Sequence, residues 1–578
     1  MRCRLSVFLL STVLASTSTS TSTNVTFTNP VIPGSNPDPS CIFADDLSGG
    51  TFLCVTSSFL SFPGMPIHAS KDLINWRLTG HVFNRPEQYP SFGNITNQQF
   101  GVYAPTLRYH DGVFYVTTTI FGKSEFPYLD NVVFHTTDPF DDASWGLPVS
   151  TGGMTYDNSL FWDKDSNMYS HGASGYGITQ CSLQKDPYGQ LEDCPTIWNG
   201  TGGVAPEGPH MYLINGTYYL MIAEGGDAPK APTKHHESIA RSDSINGPFV
   251  QNPSNPLISS VNTTEYITGP GHADIFQDAE GNWWGMALAT RSGSEFETFP
   301  MGRETVLFPV SWDANGWPVF SQVRGVMSGP LPPRNREAPG IGPMLDDSDY
   351  EDFKPNSTIP KHFAYWRLPV PEDYTVSPPS RPNTLRLTPS VHNLTSNTKD
   401  GPDLSRTFIS RRQTDTLFTY SVDISLENIN QTSQAEAGVF LFVTQEQHVS
   451  LSLHSQDGTS SLRFRLESKN SNTSSPYSVQ PLSSHWTKFP IRFEIRAINI
   501  THFTFSAGVV DNPYSVPLRT IATAPGSAIS GGYTGTFVGA FATTNGEEKR
   551  GWAAYLSRWR YLPQGQYLGD EQWVYRNV

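Results

Sequence analysis

The sequence predicts an all-β protein, a five-bladed β-propeller followed by a β-sandwich. Three observations carry that expectation. One hairpin motif recurs five times before residue 325, strand-like alternation follows after residue 360, and a proline-rich stretch separates the two. Only 16% of the side chains are charged while 12% are aromatic, which excludes a charge-rich disordered chain or a solvated coiled coil. The net charge of −15 argues against a nucleic-acid partner, which requires a basic footprint.

Taken in order, the chain opens with Arg2 and Arg4, the apolar run Leu5–Leu14 and the small residues Ala15, Ser16 and Thr17. That order predicts a secretory signal peptide over residues 1–17 and a flexible Ser/Thr-rich segment over 18–27. No other stretch approaches the roughly 20 apolar residues that span a bilayer, so a secreted, extracellular protein with no membrane partner is expected. Cys3 leaves with the signal, and Cys41, Cys54, Cys181 and Cys194 remain. In an oxidising compartment an even set favours disulfides, and the two pairs of equal spacing favour Cys41–Cys54 and Cys181–Cys194. Asn-x-Ser/Thr sequons at Asn24, Asn94, Asn199, Asn215, Asn262, Asn356, Asn393, Asn430, Asn472 and Asn499 predict a glycoprotein.

The repeat fills residues 28–325. Its copies begin at Asp38-Pro39-Ser40-Cys41, Ala104-Pro105-Thr106-Leu107, Asp157-Asn158-Ser159-Leu160, Glu207-Gly208-Pro209-His210 and His272-Ala273-Asp274-Ile275. Each is a short strand, a turn containing Asp, Asn or Gly, and an aromatic second strand, the pattern of a β-hairpin. Copies roughly 50–65 residues apart suit four-stranded blades with their loops. In a propeller the innermost strands begin near the axis, so Asp38, Ala104, Asp157, Glu207 and His272 are expected to converge. Three carboxylates and a histidine at one funnel repel and desolvate one another, a cost that marks a site. Other motifs fail. Asp163-Lys164-Asp165 begins like a calcium loop but has Met168 and Ser174 where Gly and Glu are needed, so it reads as a hairpin turn. His235-His236-Glu237 lacks the second histidine of a zinc helix.

Glycoside hydrolysis needs one protonated carboxyl to release the leaving oxygen and one ionised carboxylate opposite it. A third can hold up the acid's pKa. The blade motifs, above all Asn36-Pro37-Asp38-Pro39-Ser40, Tyr156-Asp157-Asn158-Ser159 and Pro206-Glu207-Gly208-Pro209, resemble glycoside hydrolase family 43. The resemblance implies an inverting enzyme in which Asp38 is the general base, Glu207 the general acid and Asp157 the modulator of the acid's pKa. It further implies that His272 faces an ion, such as structural calcium, or a water on the axis, and that Arg291 stands near the substrate. No redox or nucleotide cofactor is expected. Tyr156, Phe59, Phe100 and Trp162 are candidate pocket walls, with core packing as the alternative for each.

Residues 326–360 read as a proline-rich linker, and the alternating strands of residues 361–578 as a β-sandwich. Two-domain members of the family carry a concanavalin-like sandwich here, which implies a domain that packs beside the propeller and lends a loop to the pocket rim. The resemblance implies a plant cell-wall polysaccharide or oligosaccharide substrate. The reading favoured is an exo-acting α-L-arabinofuranosidase on arabinoxylan side chains. The alternatives are a β-D-xylosidase on xylo-oligosaccharides, or a propeller that binds glycans without cutting them.

Overall fold

The structure is a computed structural model that describes residues 24–122, 128–183, 186–191, 194–226, 234–293, 295–395, 405–429, 434–468, 477–482, 486–510, 516–548 and 551–576. The expected signal segment and the sequons at Asn430 and Asn472 lie outside the described residues. Between Ser40 and Phe320 five antiparallel sheets follow one another, each built from four strands in chain order, with Ile258–Ser259 added to the fourth sheet. Their first strands are Ser40–Ala44, Gly101–His110, Tyr156–Trp162, Glu207–Ile214 and Ile267–Gln277. These adjoin in that order and the last returns to the first, so the inner strands surround a common axis. Strand Val25–Thr28 pairs with Val326–Gly329. Beside it, Asn29 Nδ2 donates to the Leu307 carbonyl and Oδ1 accepts the Leu307 N–H, both at 2.9 Å, tying the N-terminal segment to the fifth sheet.

Local sequence explains the turns. Asp111-Gly112 and Asn215-Gly216 adopt positive φ at both residues (49° and 80°, 52° and 84°), the geometry of a two-residue I′ hairpin. At Asp163, Oδ1 accepts the N–H groups of Asp165 and Asn167 at 2.9 and 2.8 Å, so the calcium-like motif is a hairpin turn held by its own aspartate. Cys41 and Cys54 stand directly opposite on the first two strands and form a disulfide. Cys181–Cys194 staples the connection between Ile178–Ser182 and Thr196–Trp198.

The inner strands of sheets two to five share a bulge. Tyr103 pairs with Thr119 but Thr106 with Thr117. The same slip separates Tyr156/Ala173 from Ser159/His171, Glu207/Ala223 from His210/Met221, and Gly271/Leu288 from Asp274/Met286. The extra residue at this shared position bends the strand and re-aims its side chains, and the fifth inner strand carries a second slip, between Thr268/Thr290 and Gly271/Leu288. The residues that take up the bend have positive φ: Ala104 36°, Asp157 56°, Gly208 56° and His272 51°, with Asp38 at 54° just before its own strand. This corrects the repeat alignment. The fourth-sheet counterpart of Asp157 and His272 is Gly208, and Glu207 precedes it by one residue, because backbone conformation rather than acidity fixes the equivalence.

The C-terminal domain is two stacked sheets. One runs in the order Tyr374–Val376, Leu385–Leu387, Ala553–Gly569, Leu417–Glu427, Ile491–Ala497, His502–Val509, Val516–Pro525. The other runs Thr407–Arg412, Phe537–Thr543, Gln434–Thr444, Gln447–Gln456, Thr459–Glu467, Tyr477–Pro481. Val439, Leu451, Phe418, Phe493 and Trp559 are among the residues of the core between them. Asp349–Glu351, inside the stretch expected as linker, pairs with Trp559–Tyr561. A second apolar cluster crosses from one domain to the other, joining Phe62, Phe83 and Phe92 to Phe408, Phe440 and Phe537. Tyr365–Trp366 also adds to the propeller strand Ser61–Phe62, so the two domains share a core.

Candidate active site

At one end of the axis the strand starts enclose a cleft of about 540 Å³, within the usual range of small-ligand pockets. Asp38, Asp157, Glu207 and His272 line it together with Arg303 and the walls Phe100, Tyr103, Phe121, Tyr156, Val204 and Tyr533. The convergence expected of the repeat therefore occurs, with Ala104 also on the lining.

The carboxylates sit in different fields. Asp38 is buried, its Oδ2 accepts the Ser57 hydroxyl at 2.6 Å, and its Oδ1 accepts Arg303 Nη1 at 3.0 Å. His272 Nδ1 lies 3.9 Å from the same Oδ1. Burial pushes this carboxyl up, but Arg303, His272 and the Ser57 hydrogen bond together outweigh it and hold its pKa below the ordinary value. The Ser57 oxygen also accepts the Ala104 N–H at 2.7 Å, fixing the group between the first two sheets. Asp157 is also buried, and its Oδ2 accepts the Gly208 N–H at 3.2 Å. Burial, followed by the negative charges of Glu207 and Asp38, raises it well above the ordinary value. The two carboxyls are thus pushed in opposite directions, Asp38 towards its ionised form and Asp157 towards its neutral form. Glu207 has 23% of its side chain exposed and places Oε1 3.6 Å from His235 Nε2. Burial lowers the His272 pKa against the opposing pull of Asp38 and Glu207.

Not every expected residue reaches the cleft. Tyr156 and Phe100 line it. Phe59 is 1% exposed and lies behind the wall, against Tyr103 (4.8 Å between ring centroids) and Tyr533 (5.8 Å, stacked). Its role is to support the rings that face the cleft. Trp162 ends the inner strand that starts at Tyr156, and six strand steps carry it roughly 20 Å away. It stacks on His110 and borders a second cavity at the opposite end of the axis. Arg291 is buried against Glu304 (2.7 and 2.9 Å) and bonds Gln566 Oε1 at 2.7 Å. It forms a structural ion pair within the fifth sheet and a hydrogen bond to the C-terminal domain, and is not part of the cleft lining.

Arg303 and Tyr533 are among the lining residues that the sequence did not single out. Arg303 starts the third strand of sheet five, outside the hairpin motif, yet it forms the ion pair with Asp38 and packs against the Phe59 and Tyr533 rings (5.5 and 5.4 Å). Tyr533 comes from the C-terminal domain. Its N–H donates to Gln99 Oε1 at 2.8 Å and its carbonyl accepts Arg303 Nη2 at 3.3 Å. The only local signal is the glycine-rich run Gly531-Gly532-Tyr533-Thr534-Gly535.

The donors around His272 do not compose a calcium site made by protein alone. Calcium takes six to eight oxygens. Among the described residues no three carboxylate, imidazole or thiolate groups converge as a metal-binding set. A near ring is that of His210, 6.3 Å between centroids, itself 3.0 Å from the Arg108 guanidinium.

A propeller that gathers three carboxylates of unlike electrostatics against aromatic walls has the parts of a glycoside hydrolase. Comparison with known proteins agrees. Residues 27–318 match the glycosyl hydrolases family 43, and residues 350–561 match the β-xylosidase C-terminal concanavalin A-like domain. A non-reducing end α-L-arabinofuranosidase from Bacteroides ovatus is 33% identical over 94% of this chain and 96% of its own. A β-xylosidase from Bacillus subtilis is 32% identical over 62% of this chain and 68% of its own. The solved Bacteroides ovatus xyloglucan PUL GH43B superimposes with a TM-score of 0.77 at 30% identity, over 93% of this chain and 99% of that one. The chain belongs to glycosyl hydrolase family 43.

Proposed function

We propose that the protein is a secreted, exo-acting α-L-arabinofuranosidase that removes side chains from arabinoxylan-type hemicellulose with inversion of configuration. The observation that carries the reading is the pairing of a carboxylate held ionised with two further carboxyls across one aromatic cleft. In this mechanism Asp38 accepts a proton from water as the water oxygen bonds to the anomeric carbon. Glu207 gives its proton to the leaving oxygen as the C–O bond breaks. Asp157, whose own carboxyl is pushed up by burial and by the charges of Glu207 and Asp38, is the modulator beside the acid and positions the substrate. The aromatic walls offer faces for the C–H side of a sugar ring. The arabinofuranosidase relative supports the sugar. The β-xylosidase relative supports a second reading, release of xylose from xylo-oligosaccharides. The two disulfides suit an oxidising, extracellular compartment.

The test is to incubate the protein with arabinoxylan, linear arabinan, xyloglucan and xylo-oligosaccharides and to identify the monosaccharide released. Arabinose from arabinoxylan is expected; xylose from the oligosaccharides alone would favour the second reading. Asp38→Asn and Glu207→Gln should each lower release at least about 100-fold, the lower end of what general acid or base catalysis contributes, while remaining folded. Wild-type turnover in either variant would overturn the assignment, and a glycan-binding propeller would release nothing.

A further inference from the structure

Glu207 is the acid in the mechanism above, and a proton donor must aim one oxygen at the leaving group. Its long side chain is about a quarter exposed, so something has to fix the orientation of the carboxyl. His235, which immediately precedes the strand His236–Ser242, is buried, and its Nε2 lies 3.6 Å from Glu207 Oε1. Its other nitrogen, Nδ1, faces the Gly269 carbonyl at 3.2 Å. A carbonyl oxygen can only accept, so Nδ1 carries the hydrogen of that contact. Both ring nitrogens therefore face oxygens, one anchoring the imidazole and the other directed at the carboxyl.

The backbone makes room for this arrangement. A Cβ on Gly271 would lie 2.6 Å from both Cε1 and Nδ1 of His235, so any larger residue there would push the ring away. The neighbouring His236 turns to a different carboxylate, with Nε2 3.9 Å from Glu224 Oε2. The other charged groups that His235 influences are Asp38, just before the first inner strand, and His272, on the fifth.

We propose that His235, as an imidazolium with a hydrogen on each ring nitrogen, is a positioning residue for the general acid: anchored on Gly269 through Nδ1–H, it turns Nε2–H to Oε1 of Glu207 and leaves Oε2 to carry the proton to the leaving oxygen. The inference rests on reading Glu207 as the acid. In the step itself the proton passes from Oε2 to the glycosidic oxygen, which keeps the electron pair of the broken C–O bond, and His235 gains and loses nothing. The 3.6 Å separation is longer than a hydrogen bond and is one of orientation and charge in the free site. Such contacts tighten when substrate closes a site.

The test uses leaving groups. A sugar hydroxyl is a poor leaving group and needs the acid, whereas 2,4-dinitrophenolate leaves without it. His235→Asn keeps a donor for Gly269 but ends short of Glu207, and His235→Gln restores reach. With an arabinoxylo-oligosaccharide the Asn variant should lose about tenfold or more in kcat, part of the 100-fold or greater effect of the acid itself. With the 2,4-dinitrophenyl glycoside of the released sugar it should stay within about threefold, which also reports that the cleft is folded. The Gln variant should recover most of the loss, and Gly271→Ala, which displaces the ring, should show the same selectivity as Asn. Equal losses on both substrates, or no loss on either, would overturn the proposal. Glu207→Gln run alongside separates the two readings. If it too loses both substrates equally, Glu207 is not the acid and the proposal falls with it. If it discriminates and His235→Asn does not, only the positioning role is wrong.

Discussion

Asp38 and Asp157 begin their motifs alike but have their pKa values pushed in opposite directions, and the difference lies in their neighbours. Arg303 and Ser57 give Asp38 a counter-charge and a donor, while Asp157 receives one backbone N–H and faces two other carboxyls. A carboxyl whose folded pKa is raised costs stability wherever the unfolded chain would ionise it. The cost is absent below the unfolded value near 3.8, grows as pH rises through it, and is complete above the folded pKa. Asp157→Asn should therefore melt at a higher temperature than wild type at pH 7, and the gain should vanish by about pH 3. A variant less stable than wild type at both pH values would contradict the electrostatic account. The same residues show where sequence reading stops. Asp38, Asp157 and Glu207 were legible because they head repeated strands, whereas Arg303 heads a strand with no repeated signature. Arg291, at the end of the preceding strand, carries the same charge but is taken up by Glu304.

At the scale of the element, the shared bulge is what turns strand starts into a site. A regular strand alternates its side chains between two faces. The inserted residue at Ala104, Asp157, Gly208 and His272 breaks that alternation just where the strands meet the cleft. The hairpin repeat itself was legible from turn chemistry, since Asp-Gly and Asn-Gly specify their turns locally. The bulge was not, because it depends on cross-strand register, and for that reason the fourth copy was aligned one residue off. Trp162 was expected at the cleft for a related reason: motif proximity in sequence ignores how far a strand travels. Gly208 gives a test at this scale. Its φ of 56° is left-handed, as at Asp157 and His272 on the matching bends, so backbone strain is real for any side chain there but is not the main objection. An added Cβ would instead lie 2.9 Å from His272 Cε1 and Nε2. Gly208→Ala should displace that ring and lower kcat at least about tenfold, a fraction of what precise positioning contributes, with little change in secondary structure by circular dichroism. Unchanged kcat would show that His272 has room to spare.

Across the whole molecule, the C-terminal domain is part of the cleft's construction as well as a neighbour. It shares an apolar cluster with the first two sheets and sends Tyr533 to the cleft wall, against Phe59. A contact between residues more than 400 positions apart leaves no local pattern, which is why only a lent loop, and not its tyrosine, could be anticipated. An aromatic pair contributes about 0.5–1.5 kcal/mol beyond area, or about two- to twelvefold in an equilibrium constant. Tyr533→Ala should raise KM by about that factor while the melting temperature holds within a few degrees. An unchanged KM would make the loop a spectator. The central claim concerns the cleft as a unit: Asp38 activates water on the face opposite Glu207, and no covalent sugar intermediate forms. It is tested most directly by following cleavage of an α-L-arabinofuranoside, or of a β-D-xyloside if that is the sugar released, by proton NMR before the product mutarotates. The account predicts that the first-formed sugar has the inverted anomeric configuration, β from an α-arabinofuranoside or α from a β-xyloside; first-formed product with the substrate's own configuration would contradict it.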